Sequence, residues 1–407
     1  MAREVTRKTS PGARAAAQVH SSALIIDTHA DTPQRFLDEQ FDLADPLNGG
    51  DLNLDSARAG NLGAEFFSIW VDPTQFKHQY ARRTLELIDS VVLQVAAHSD
   101  RVALATSADG IESAWRDRKL AALMGIEGGH SIENSLALLR QYYALGVRYM
   151  TLTWSNSNDW ADSSGRVELR TFPHIRPGLT KFGRKVVREM NRLGMMVDIS
   201  HVADRTFYRT VAVSAAPVIA SHSSARSLCD HPRNMADEML RAVAHSGGPR
   251  SKGGVVQVNF FSGFLSQAFR DAVTEIRPKI DREIAEAKRR AQRNGREFVY
   301  AVEARVQHRH LDKIARPPLS ILIDHIDHIA RVAGVEHVGL GSDFDGVSGQ
   351  LPEGLDSAAD LPKITQGLLD RGYSPEDCHK ILGANVLRVF REVEAVSKRE
   401  KARDQSG

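Results

Sequence analysis

Leu24-Ile25-Ile26-Asp27-Thr28-His29-Ala30-Asp31 is an apolar run that stops abruptly in His-Ala-Asp. Side chains alternate along an extended strand, so His29 and Asp31, two apart, project to the same side. A histidine and a carboxylate leaving the end of a buried strand together make half of a divalent-metal site. The same residues could instead cap the strand and the next helix. The stretch therefore gains meaning only from partners further along the chain.

Similar apolar runs recur at Glu65–Trp70, Ala121–Ile126, Tyr149–Thr153, Met195–Ile199, Val218–Ser221, Val255–Phe260 and His337–Leu340. Segments with helical periodicity lie between them: Ala81–His98, Ser135–Leu145, Thr180–Leu193, Ala203–Val213, Met235–His245 and Leu319–Ala333. Eight strands alternating with helices predict an α/β fold of the (β/α)8 TIM-barrel type. An open doubly wound sheet is the competing arrangement. The absence of a Gly-x-Gly-x-x-Gly turn after the first strand weakens its dinucleotide-binding form.

The 407 residues are 42% hydrophobic, enough for a sizeable core, and 53 basic against 51 acidic residues leave a formal charge of +2. That balance gives no reason to expect a nucleic-acid or membrane partner. Cys229 and Cys378 form no CxxC pattern, which argues against a disulfide framework or a thiolate metal site. The first twenty residues read as a flexible basic leader, residues 21–396 as one catalytic domain and residues 397–407 as a solvated tail. The leader lacks the apolar segment of a secretory signal, and no stretch approaches the ~18 apolar residues of a membrane span. A cytoplasmic protein is expected. Residues 268–316 are highly charged and helix-favouring, and read as a solvated insertion that covers the barrel mouth or forms a subunit contact.

Chemistry collects where the strands end. The third run passes into Glu127-Gly128-Gly129-His130, a carboxylate on a tight turn, with two oxygens able to bridge two metals. His130 is better suited to packing. The fifth and sixth runs end in Ser200-His201 and Ser221-His222, two histidines in equivalent places on neighbouring strands. Adjacent strands lie about 4.8 Å apart, close to the spacing at which two imidazoles share a metal. The eighth run delivers Asp343-Phe344-Asp345-Gly346, and Asp343 is suited to general acid/base work. His231-Pro232-Arg233-Asn234 offers a loop arginine for a substrate carboxylate, with Asn234 beside it. Trp154 stands in an amide-rich loop fit to line a pocket. His29, Asp31 and Glu127 would serve one metal and Glu127, His201 and His222 the other, each with room for a shared water.

The segments IDTHAD, GIEGGH, MVDISH, IASHSSAR, HPRN, VGLGSDFDG and LGANVLRVF occur in that order from residue 24 to about 391. In this the chain resembles the membrane (renal) dipeptidase family, the M19 zinc peptidases of the amidohydrolase-like barrels. The resemblance implies a metal-dependent hydrolase, commonly a homodimer, that cleaves dipeptides through a hydroxide bridging two Zn ions. It puts metal ligation on His29, Asp31, Glu127, His201 and His222, proton transfer on Asp343 and carboxylate binding on Arg233. One position departs from the family: where its active members resemble TLTHS, with a histidine that contacts substrate, this chain has Thr151-Leu152-Thr153-Trp154-Ser155. An indole can donate one hydrogen bond but carries no charge. That change keeps two alternatives open, a hydrolase of another small amide (an N-acyl amino acid or cyclic amide) and a metal-binding homologue without turnover.

Overall fold

The computed structural model describes residues 11–165, 178–295 and 300–406. Its strands are β1 (Ile25–Ala30), β2 (Leu62–Trp70), β3 (Val102–Leu104), β4 (Leu120–Glu127), β5 (Val147–Thr151), β6 (Met196–Asp198), β7 (Ile219–Ala220), β8 (Val255–Val258) and β9 (Val338–Leu340). All pair in parallel. The order β1-β2-β4-β5-β6-β7-β8-β9 returns to β1 through Asp27 opposite Leu340, so eight strands close a TIM-type barrel. Each of the eight apolar runs supplies one of them. The short β3 lies outside the barrel, against the first residues of β4 (Leu120–Ala122), on the edge that β5 takes further along. Three residues are too few for a periodic signal, so the sequence pattern passes over it.

The runs are nearly all apolar because both faces of each strand are covered. Ile26, Phe66, Leu123, Tyr149, Met196 and Val255 pack together with Val386, Val389, Phe390 and Val393, so the long helix Asn385–Ser406 shares the barrel's inner core. Residues one step along, such as Ile25, Phe67, Met124, Val197 and Val256, join the larger core formed with the surrounding helices. A one-residue slip would exchange the two sets, which fixes the register.

One expectation about the ends is corrected. Pro11–Ser22 is a helix with Ala16 and His20 buried, and His20 bonds Thr365 Oγ1 at 2.7 Å and Gly60 O at 3.0 Å. Alanines and one buried histidine hold it where a flexible leader was expected; residues 1–10 lie outside the described set. The final helix runs to Ser406, with residues 398–403 of it largely exposed. The charged segment forms the helices Gln267–Arg293 and Tyr300–Leu311, joined by an apolar seam of Ile280, Ile284, Val306 and Leu311.

Candidate metal centre

The predicted site residues arrive from the C-terminal ends of five strands. His29 is the fifth residue of β1, and Asp31 follows that strand. Glu127 closes β4, His201 and His222 lie just beyond β6 and β7, and Asp343 lies beyond β9. Asp31 occupies the residue before the helix Thr32–Asp38 but makes no capping bond with its side chain. The capping alternative is therefore not realised. His201 and Asp343 both take left-handed backbone angles (φ +65), uncommon for residues with a Cβ and a form of strain that concentrates at functional sites.

His29 Nε2 lies 3.9 Å from Asp31 Oδ1, 3.7 Å from Glu127 Oε2 and 4.0 Å from Asp343 Oδ1. The other oxygen of Glu127, Oε1, is 2.8 Å from His201 Nε2 and 3.4 Å from His222 Nε2. Those two imidazole nitrogens are 3.0 Å apart. Glu127 thus turns one oxygen to each of two groups of donors. By proximity alone, His29, Glu127 and His222 form one set and His29, Asp31 and Asp343 another, with all ligand atoms of a set within 4.8 Å. His29 and Asp31 fall together, as the sequence predicts, but Asp343 is drawn in beside them.

Whether these residues fit a cation can be judged from their unspent atoms. His29 Nε2 and Asp31 Oδ1 are buried without a hydrogen-bond partner. Leaving such atoms unsatisfied costs about 1–3 kcal/mol each, more for a charged group, and a metal ion would use both. The donors are imidazole nitrogens and carboxylate oxygens with no thiolate, a set that suits zinc and other divalent first-row ions. The residues fit.

A supporting layer holds the rings and carboxylates in place. Tyr149 Oη bonds His29 Nδ1 at 2.8 Å, which aims Nε2 at the cluster. Asp198 Oδ2 accepts from Ser221 Oγ at 2.6 Å, and that hydroxyl bonds His222 Nδ1 at 2.7 Å. Asn259 Nδ2 donates to Asp343 Oδ2 at 2.8 Å. Such partners orient ligands and raise their basicity. Sequence reasoning missed Tyr149 and Asn259. Asn259 had a legible signal, since it ends the β8 run much as His222 ends that of β7. Two glycines leave the necessary room: a Cβ on Gly346 would stand 2.2 Å from Asp31 Oδ2 and 2.5 Å from Asp343 Oδ1, and one on Gly125 would strike the Tyr149 ring.

The electrostatics are those of buried like charges. Desolvation, then the nearby Glu127 charge, pushes Asp31 well above the usual carboxylate range. Burial would raise Glu127 too, but the His29 charge and the bonds from His201 and His222 outweigh it and hold Glu127 well below its ordinary value. Desolvation disfavours a charged His29, yet the charge and hydrogen bond of Glu127 carry it up to about 10. Burial, then the charge of Arg233, lowers His201 to about 4.

A cavity of about 260 Å³ opens onto the cluster, lined on its polar side by Asp31, Glu127, His201, Arg233 and Asp343. Arg233 is buried, donating to Ser223 Oγ at 3.3 Å and to the carbonyl of His222 at 3.1 Å, and its Nε has no partner. Burial lowers its guanidinium to about 10, still cationic at neutral pH. Trp154 also lines the cavity, packed on Trp70 with ring centroids 4.9 Å apart and 6.3 Å from the His201 ring. Asn234 does not line it. Its amide donates to the carbonyls of Cys229 and Phe264, at 2.9 and 2.7 Å, and so pins the loop that carries Arg233. His130 is spent on the carbonyl of Val71, at 2.9 Å.

A model of the family described as membrane dipeptidase (peptidase family M19) matches residues 13–404. The chain belongs to that family. Human Dipeptidase 3 is 36% identical over 387 residues, which cover 94% of this chain and 67% of that protein. The chain thus spans about two thirds of the length of this relative. Among solved structures, the probable dipeptidase PvdM from Pseudomonas aeruginosa superposes with a TM-score of 0.79 at 24% identity, over 95% of this chain and 100% of its own. A metallo peptidase from Rhodobacter sphaeroides, liganded with a phosphinate mimic of the dipeptide L-Ala-D-Ala, gives 0.71 at 24% identity, over 91% and 99%. At these identities the two structures speak for the fold. Family membership makes metal-dependent hydrolysis of dipeptides the reaction class.

The family also corrects one expectation. A cytoplasmic location was inferred from the balanced charge and the lack of apolar segments, but the matching family is described as membrane dipeptidase. Among the described residues no helix is long and apolar enough to cross a membrane. Barrel chemistry is indifferent to where the barrel resides, so composition of the catalytic part carries no address.

Proposed function

We propose that the protein hydrolyses the peptide bond of dipeptides with two zinc ions held by His29, Asp31, Glu127, His201 and His222. Glu127, with one oxygen toward each group of donors, would help to hold both ions. The observation that carries this reading is the placement of Glu127, whose two oxygens face separate groups of donors at 2.8–3.7 Å. Bound there, the ions would supply an acidified water and a Lewis acid for the scissile carbonyl. The remaining work falls to the chain. Asn259 holds Asp343 by Oδ2, so Oδ1, on the cluster side, takes up a proton and returns it to the leaving amine. Arg233, fixed by two bonds over Phe264, receives the C-terminal carboxylate. Trp70 and Trp154 line the cavity, and its volume limits the substrate to a small molecule. Subunits of this kind are proposed to pair as a homodimer, which light scattering would test.

Trp154 supports a second reading, hydrolysis of another small amide such as an N-acyl amino acid. An indole offers one neutral donor where the family's active members have a histidine, and loss of such a donor costs about 10²–10³ in rate. The discriminating experiment is Asp343→Asn in the zinc-loaded protein, assayed on a dipeptide panel and on N-acyl amino acids. Dipeptide turnover should fall by about 10²–10⁴ with metal content unchanged. Undiminished cleavage would remove Asp343 from the mechanism, and turnover of N-acyl amino acids alone would favour the second reading.

A further inference from the structure

We infer that Arg277, on the charged insertion, selects dipeptides with an acidic side chain. The inference rests on the dipeptidase reading and names its substrate class. The insertion reaches the catalytic cavity, since Val273, Arg277, Gln307 and Leu311 line it together with Asp31, Glu127 and Asp343. Leu311 also belongs to the apolar seam between the two insertion helices, so the element is packed where it meets the cavity.

Two guanidinium groups therefore face one space of about 260 Å³. Arg233 is buried deep in it and is used by a dipeptide's main-chain carboxylate. Arg277 stands at the rim, 34% exposed, with Nε 3.0 Å from Asp281 Oδ1 one turn along the same helix. That half-exposed pair contributes little to stability, so it does not account for a cation at this place. Nε lies close to that carboxylate but makes no hydrogen bond with it. The acids across the cavity, Asp31, Glu127 and Asp343, belong to the metal and proton-transfer machinery. A substrate with a single carboxylate would displace water from Arg277 and give it nothing in return. A second carboxylate, on an Asp or Glu side chain, would be held by a charge-assisted and sterically directed contact. The Gln307 side chain, held by its Nε2 bond to Glu303 Oε1 at 3.2 Å, adds a polar group on the same wall.

The test compares Glu with Gln, which differ in charge and hardly in shape. Zinc-loaded wild-type protein, Arg277→Ala and Arg282→Ala are assayed on dipeptides of Ala with Glu or Gln, in both orders. Binding of the corresponding non-cleavable phosphinate mimics is measured in parallel. The wild type should favour the Glu compound by roughly tenfold or more in kcat/KM and in Kd, in at least one order. That preference should collapse toward unity in Arg277→Ala. Arg282 is exposed on the same helix, and its replacement should keep the wild-type ratio. Equal handling of Glu and Gln by the wild type, or a preference that survives Arg277→Ala, overturns the inference and leaves the dipeptidase reading standing. Failure to cleave any dipeptide or bind any mimic overturns both.

Discussion

Gly346→Ala isolates the geometry of the centre from its chemistry, because no ligand is removed. Gly346 is outside the left-handed region, so its backbone accepts alanine. The added methyl would stand 2.2 Å from Asp31 Oδ2 and 2.5 Å from Asp343 Oδ1, whereas ordinary contact begins at 3.4 Å. Asp31 must retreat by about 1.2 Å, or the loop carrying Asp343 must rise. Metal–ligand distances tolerate only about ±0.2 Å, so the carboxylate cannot stay a good ligand. A displacement of about 1 Å at a reacting centre costs on the order of 10² in rate. The assay is metal content after dialysis against a weak chelator, with kcat/KM on a dipeptide and thermal unfolding of the metal-free protein. The expected result is loss of metal and about 10²-fold lower kcat/KM, with metal-free unfolding close to wild type. Full metal occupancy with activity within twofold of wild type would refute the placement of Asp31 and Asp343 on either side of this glycine.

Tyr149→Phe removes the bond to His29 Nδ1 and leaves the ring packing, so zinc affinity by chelator competition should fall about 10–100-fold; an unchanged affinity would show that His29 needs no such support. His325 tests the scaffold. It is buried and neutral, accepting from the Ala225 amide at 3.1 Å and donating to the Leu265 carbonyl at 3.0 Å. Burial lowers it from 6.5 to about 4, the Leu265 bond opposing only in part. Between those values the unfolded chain binds the extra proton, so this contribution is intact above pH 6.5 and lost as pH falls toward 4. By pH 5 the loss is roughly 2 kcal/mol. Denaturant unfolding at pH 7 and pH 5 should show a smaller difference in His325→Gln than in wild type, and an equal difference would contradict the assignment.

The barrel was legible because its strands are covered on both faces, which leaves uninterrupted apolar runs such as Ala121–Ile126. The gathering of His29, Asp31, Glu127, His201 and His222 was legible because a barrel brings its strand ends together, so His201 and His222 gain meaning from equivalent positions. Tyr149 and Asn259 were harder to see, since each acts through another side chain, His29 or Asp343, from mid-strand or from a strand end without a motif. The helix Pro11–Ser22 escaped notice because its apolar content is low and its burial depends on tertiary partners such as Thr365. Arg277 was hidden by composition: among so many charges, only the fold shows which one turns toward the cavity.

The most direct test of the central claim is to count metal and turnover together. Metal-free protein is titrated with Zn²⁺ while release of free amino acids from L-L and L-D dipeptides is followed. Activity should appear with zinc and saturate at two ions per chain. Saturation at two ions with no cleavage of any dipeptide would contradict the claim, as would full turnover in the metal-free protein.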